Sequence, residues 1–125
     1  MEMLMKAFIL AALPAAFVIA SPASAAQLGT YNDPAPGASS LMHSDFSGAE
    51  REIRGSSVEA TDPARAINLG IALAKTGHRD QAAQLFNSVL AQSDVEMIVA
   101  DGQTVMSHAV AARALASLQN GVLSH

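Results

Sequence analysis

The chain has 125 residues, a formal net charge of −4 and no cysteine. Without cysteine, a disulfide framework, a thiolate metal site and a cysteine nucleophile are all excluded. The mildly acidic balance, with no basic patch to neutralise phosphates, argues against nucleic acid as a partner.

Residues 1–25 have the pattern of a secretory signal peptide. Lys6 precedes the apolar run 7–20, and the small residues 23–25 follow as a cleavage site. The run is shorter than the roughly 18–20 residues that a spanning helix needs, and Pro14 interrupts it. We therefore expect an exported protein, periplasmic or secreted, with no membrane span once the signal peptide is removed.

The stretch that follows, residues 26–46, predicts a flexible leader. Pro36, Gly37 and their neighbours interrupt any helical or strand period. A short helix is predicted to start at Ser47, because Ser47 and Glu50 fit a capping box in which each side chain satisfies a free backbone donor.

Local signals set the ends of the next two helices. Asp62, followed by proline, predicts a helix start, since aspartate accepts from the free N–H groups of the first turn. This helix should run over 64–76, and Gly77 can take the left-handed stop. Asp80 opens the following helix, which should end at about residue 91.

Beyond this point the pattern changes. Residues 95–100, "VEMIVA", are β-branched and short, which predicts an extended or irregular stretch. Two alternatives stay open for it: an edge strand that pairs with a partner chain, or a connector whose Ile98 and Val99 fill the core. A turn at 101–102 and a last helix over 103–119 follow.

The last helix shows two apolar stripes. A narrow stripe of small residues is suited to close helix packing, and a second stripe lies on another side. Because the domain has few elements to cover both, an exposed apolar strip is a candidate contact surface. The first stripe is Val105, Ala109, Ala112 and Ala116, and the second is Ala111, Leu115 and Leu118.

Gly70 lies inside the predicted helix 64–76, where glycine costs roughly 1 kcal/mol against alanine. We expect Ala82 and Phe86 of the next helix to approach it closely, in an antiparallel hairpin. This arrangement resembles the tetratricopeptide repeat, a helical hairpin with a small residue in its first helix and an alanine and a phenylalanine in its second. The matching residues are Asn68, Leu69, Gly70, Leu73, Gly77, Ala82 and Phe86.

A preceding part-repeat is also indicated. Ala49 precedes Ala82, and Ile53 precedes Phe86, by the same interval, which is close to the length of one repeat. The helix in 47–58 therefore resembles the second half of a preceding repeat. About one and a half repeats and a cap are fewer than the roughly three that a freestanding array needs, so completion by dimerisation or by a partner is expected.

The predicted fold is all-α: an antiparallel hairpin resembling a tetratricopeptide repeat, with a short preceding helix and a C-terminal capping helix. It occupies 47–120, and residues 121–125 form a tail. The resemblance implies a concave groove lined by the first helix of the hairpin. With the outer stripe of the last helix, the predicted protein-binding residues are Ile67, Asn68, Ile71, Ala74, Lys75, Leu115 and Leu118. The alternative is that these side chains only make core contacts with the last helix.

The candidate chemical groups do not converge. The histidines His43, His78, His108 and His125 match no zinc spacing. Ser107 and His108 are adjacent on the predicted helix and point about 100° apart, which does not suit a nucleophile and its base. We therefore expect no catalytic residue, no metal and no cofactor.

The sequence thus predicts an exported small interaction or assembly module without catalytic activity. Its partner is a protein or peptide, and a homodimer is kept open. The alternative is a self-associating structural or stress protein of the cell envelope. A third class, a small enzyme, would need a polar concave site with at least two converging ionisable groups.

Overall fold

The computed structural model describes residues 18–20 and 35–123. Helices that pack antiparallel make up most of this part, and a small sheet accompanies them. The helical character is confirmed, whereas the all-α prediction missed the sheet. In chain order the elements are β1 (Val18–Ala20), α1 (Ala38–Met42), α2 (Phe46–Arg54), α3 (Pro63–Lys75), α4 (Arg79–Leu90), β2 (Glu96–Val99), β3 (Thr104–Met106) and α5 (Ser107–Gln119).

The helix α3 lies at the centre of the molecule. Ala64 and every residue from 66 to 74 are buried. The helices α1, α2, α4 and α5 contact it, and so does β1. A helix that is apolar on more than one side needs more than one packing partner, and the core that forms around α3 meets this need.

Both ends of α3 follow their local signals. The Asp62 carboxylate accepts a hydrogen bond from the Arg65 backbone N–H at 3.0 Å, with proline in the first helical position. At the other end Gly77 has φ +91°, and the His78 N–H donates to the Leu73 carbonyl at 2.8 Å. These are a side-chain N-cap and a Schellman stop. The predicted bounds of α3 and α4 are confirmed to within about one residue, the margin by which helix ends normally vary.

Gly70 lies where the predicted close approach occurs. A Cβ atom added to Gly70 would lie 2.5 Å from Phe86 Cε1 and 2.8 Å from Phe86 Cζ. Ala82 and Phe86 are fully buried. The glycine therefore lets the Phe86 ring rest on the backbone of α3, as the sequence predicts.

The α1–α2 pair repeats this contact one unit earlier. Gly37 precedes Gly70 by the same interval that separates Ile53 from Phe86. A Cβ atom on Gly37 would lie 2.7 Å from Ile53 Cδ1, and Ile53 is fully buried. In both pairs a glycine therefore faces a large apolar side chain of the second helix; Gly70 lies inside α3, whereas Gly37 is the N-cap of α1 with φ +81°.

The stop motif is repeated as well. Ser44 precedes Gly77 by this same interval and is also left-handed, with φ +59°. The Asp45 N–H donates to the Ser40 carbonyl at 2.8 Å, which matches the bond from His78 to Leu73. The part of the chain that the structure describes therefore contains two helical hairpins of the same local design, the first with a shortened first helix.

Two predictions before α3 are wrong. Residues 35–46 are not an irregular leader, because α1 forms there with Ala38 and Leu41 buried; residues 26–34 lie outside the described residues. The start of α2 is capped by Asp45, whose carboxylate accepts from the Gly48 N–H at 2.9 Å. Ser47 and Glu50 form no capping box, since Glu50 pairs with Arg54 one turn later, at 2.9 Å.

The sheet has three strands in the order β1-β2-β3, all antiparallel. β2 and β3 form a hairpin whose turn contains Gly102 at φ +89° and a bond from the Gly102 N–H to the Val99 carbonyl at 2.8 Å. The predicted extended stretch and turn are confirmed. The last helix, however, begins at Ser107 and not at Gln103, because residues 104–106 pair with β2.

This later start changes which face of α5 is buried. Val105 belongs to β3, and Ala109, Ala112 and Ala116 are exposed. The small-residue stripe is therefore not a packing face, and that prediction is wrong. The buried residues of α5 are Ser107, Val110, Ala111, Ala114, Ser117 and Leu118. Beyond the helix, Leu123 is also buried, and its N–H donates to the Ser117 carbonyl at 3.0 Å.

Candidate interaction site

Most of the predicted binding residues lie in the core. Ile67, Asn68 and Ala74 are fully buried, Ile71 is 5% exposed and Leu118 is 3% exposed. They do not line an open groove, because the neighbours of α3 cover it on several sides. For these residues the structure agrees with the alternative prediction, in which the side chains make core contacts.

Asn68 has a structural task within this core. Its Nδ2 donates to the Pro36 carbonyl at 3.2 Å, which ties α3 to the segment that leads into α1. A buried amide without partners costs free energy, so this bond explains why a polar residue is tolerated there. Asn68 therefore lies among the apolar residues of α3 because it holds the segment before α1 against this helix.

Lys75 and Leu115 are the predicted residues whose side chains are half-buried and therefore partly accessible. The Lys75 Nζ lies 5.9 Å from the centre of the Phe46 ring, within cation–π range. Leu115 packs against the edge of the core from α5. These two side chains are the part of the predicted surface that a partner can reach.

The strand β2 provides a different kind of surface. Met97 and Val99 are buried, Ile98 is half-buried and Glu96 is exposed. Val99 thus fills the core, as expected for a connector. The segment is also a strand, so each of the two alternatives describes part of the structure. Whether a partner chain pairs with this strand stays a prediction.

The side of β2 that faces away from β3 is occupied by β1. The register places Val18 opposite Val99 and Ala20 opposite Ile98, with an irregularity between them. The Val99 N–H donates to the Gln103 carbonyl on the hairpin side, at 2.9 Å. Because backbone groups alternate along a strand, the N–H and C=O of Ile98 face β1.

Ser107 and His108 serve the start of α5. The Ser107 hydroxyl donates to Asp94 Oδ1 at 3.3 Å and accepts from the Val95 N–H at 3.0 Å. The His108 backbone N–H donates to the same carboxylate at 2.8 Å, and its ring Nε2 donates to the Gln92 carbonyl at 2.7 Å. Asp94 thus caps α5 and fastens it to the segment before β2. The Ser107 hydroxyl and the His108 imidazole therefore bond to Asp94, Val95 and Gln92, and not to each other.

Two further observations concern the part of the chain that the structure describes, residues 18–20 and 35–123. It contains no group of three or more histidine, aspartate or glutamate side chains that could hold a metal ion. No helix within these same ranges is both long enough and apolar enough to cross a membrane.

These features define a small helical protein in which antiparallel helices pack around α3 and a short sheet incorporates a strand from the predicted signal peptide. Comparisons of the chain with protein-family models, with curated proteins and with solved structures found no match.

Proposed function

We propose that this chain is an exported interaction or assembly module that acts through protein–protein contacts and carries no chemistry of its own. Its scaffold resembles the tetratricopeptide repeat. The observation that supports this proposal is the duplicated hairpin, in which the Gly37–Ile53 contact recurs as the Gly70–Phe86 contact at one constant sequence interval.

Duplication at a fixed period is the mark of stacked repeat units. The interval between the two hairpins is close to the roughly 34 residues of the tetratricopeptide repeat. Each unit has a helix, a left-handed stop and a second helix, and α5 follows as a cap. Proteins of this architecture use their stacked helices as a surface for other proteins.

The accessible part of the predicted surface gives the test. Processed protein from exporting cells that carry the chain's own gene is fractionated by size in a native extract. Wild type should migrate in a complex larger than the processed chain, which is itself smaller than the 12.9 kDa of the full chain. Leu115→Glu, with an unchanged helical circular dichroism spectrum, should migrate as the free protein, because a charge replaces the apolar contact.

Arg113→Glu provides the matched control. It lies on the same helix, two residues away and exposed, so it should leave the complex intact. The proposal is contradicted if wild type migrates as a free monomer in the native extract. It is equally contradicted if Leu115→Glu, correctly folded, stays in the complex as fully as Arg113→Glu.

Self-association is a second candidate, for a structural or stress protein of the cell envelope. It is favoured by the sheet, because the strand that covers β2 comes from residues predicted to be removed on export. An uncovered strand edge pairs readily with another chain. Sedimentation equilibrium distinguishes the two candidates: a mass that rises with concentration supports self-association, and a monomer at high concentration argues against it.

A further inference from the structure

We propose that the side of β2 occupied by β1 is a strand-acceptor site, which removal of the signal peptide opens and which then binds an extended apolar peptide segment of a partner protein. The inference rests on the proposed function and specifies the chemistry of the partner. Its basis is the pairing of Val18–Ala20 with β2, together with the contact of β1 with α3.

The segment that fills the site is itself one that export is predicted to remove. β1 lies within residues 1–25, upstream of the cleavage site at 23–25. When it leaves, the outward N–H and C=O of Ile98 lose their strand partner. Unpaired backbone groups on a strand edge accept a new strand, so processing converts a filled site into an open one.

The chemistry of the bound segment can be inferred from β1, the strand that occupies the site in the structure. β1 is Val-Ile-Ala, uncharged, apolar and rich in β-branched residues, which suit a pleated surface. The two residues of β2 that pair with β1, Ile98 and Val99, are also apolar and β-branched. A partner segment should therefore be extended, apolar and β-branched over at least three residues.

Two features favour a single peptide strand over β2 of a second copy. β1 contacts α3 as well as β2, so the site receives its strand between two elements of the chain. In addition, β2 pairs with β3 along its length, and the chain continues from β2 through the hairpin turn and β3 into α5. A second copy would have to bring these elements with it, whereas a free peptide brings only its own strand.

Charge favours a particular residue at one flank of the bound segment. Pairing is antiparallel, with Ala20 opposite Ile98. The residue of an incoming strand two positions after the one that faces Ile98 would therefore lie opposite the exposed Glu96. Opposite charges at such cross-strand positions are favourable, so a lysine after the apolar segment should strengthen binding.

The test uses a peptide that carries residues 16–21, "AFVIAS", between two lysines at each end. The chain is produced with its own signal peptide in an exporting host, and intact mass establishes the processing site. Isothermal titration should show that the processed protein binds the peptide. Chain produced without export, which retains residues 1–25, should bind at least about tenfold more weakly, because β1 competes from within the molecule.

Two substitutions at one position separate the backbone from the side chain. Ile98→Pro removes the outward N–H, a change that edge strands tolerate, and should weaken binding by at least about tenfold. Ile98→Ala keeps the N–H and should weaken binding less than about fivefold, the range of one cross-strand side-chain contact. A peptide with proline in place of Ala20, the residue opposite Ile98, lacks the N–H that faces β2 and should not bind. If Ile98→Pro changes the circular dichroism spectrum, the inference is tested by comparing peptide binding between the processed protein and the chain that retains residues 1–25.

Several results would overturn the inference. One is an exported protein whose mass shows that residues 1–25 are still present, since the site then stays filled. Another is a processed protein that dimerises through β2, so that Ile98→Pro dissociates it, and does not take the peptide; the occupant is then a second copy. A third is no peptide binding while the processed protein still migrates in its larger complex. In that case the acceptor site is refuted and the proposed interaction function stands.

Discussion

The contact between Gly70 and Phe86 shows how one residue type decides the packing of two helices. The Phe86 ring occupies the space in which any Cβ at position 70 would have to lie. Since Phe86 is fully buried, the ring has little room to turn away. The helical penalty of glycine is thus offset by the burial of a whole aromatic side chain.

Replacing Gly70 with alanine should therefore destabilise the protein, although alanine is the better helix former. Overpacking of this kind typically costs about 1–3 kcal/mol. Urea unfolding followed by circular dichroism measures the loss in the free energy of unfolding. Gly55→Ala is the control, because Gly55 has φ −88° and its nearest atom to an added Cβ, the Arg51 carbonyl oxygen, lies at 3.4 Å.

A double-mutant cycle sharpens this prediction. Phe86→Leu shortens the side chain that meets position 70, so Gly70→Ala should cost less in that background than in wild type. The expected coupling is about 1 kcal/mol, within the range for residues in direct contact. Additive effects of the two substitutions would show that the ring does not set the requirement for glycine.

At the scale of the elements, the two hairpins differ in how their first helix ends. Gly77 adopts its left-handed conformation without penalty, whereas Ser44 adopts the same region with a side chain. A left-handed conformation costs a residue with a Cβ roughly 1–2 kcal/mol. The first hairpin therefore carries backbone strain that the second avoids.

Substitutions at these two stops should have opposite effects. Gly77→Ala should lower the free energy of unfolding by about 1 kcal/mol. Ser44→Gly should raise it by up to about 1 kcal/mol, less than the full relief because glycine also makes the unfolded chain more flexible. Thermal unfolding of both variants measures the shifts. A destabilising Ser44→Gly would contradict the equivalence of the two stops.

The sequence predicts the elements whose ends are set by local chemistry. Asp62 and Gly77 are strong signals, so α3 is located to within about one residue. β3 is missed because three residues form a strand only when β2 lies beside them, which no local pattern reveals. α1 is missed because Pro36 and Gly37 are ordinarily helix breakers. The available signal was that Gly37 precedes Gly70 by the same interval as Ile53 precedes Phe86.

The sequence predicts the wrong exposure for most of the proposed binding residues for a related reason. Position on α3 can be deduced from helical periodicity, but what covers each face depends on distant elements. The resemblance puts Ile67 and Ile71 in an open groove, yet α3 is contacted by four other helices and by β1. The strand from the predicted signal peptide is the component that sequence patterns do not place.

At the scale of the whole molecule, stability depends on packing around one helix. The chain has no cysteine and therefore no disulfide to constrain the unfolded state. α3 supplies buried residues along nearly its whole length, whereas the short α1 supplies two. The hairpins should consequently depend on each other through α3, and α1 should be the more easily opened element.

Native-state hydrogen exchange on the purified protein, resolved to single amides, measures how far the fold depends on α3. Amides 67–73 of α3 should exchange most slowly, with an opening free energy equal to that of global unfolding. The amides of α1 should exchange at a lower opening free energy. If the α3 amides exchanged as easily as those of α1, through a local opening that leaves α4 and α5 protected, the fold would not depend on α3 in this way.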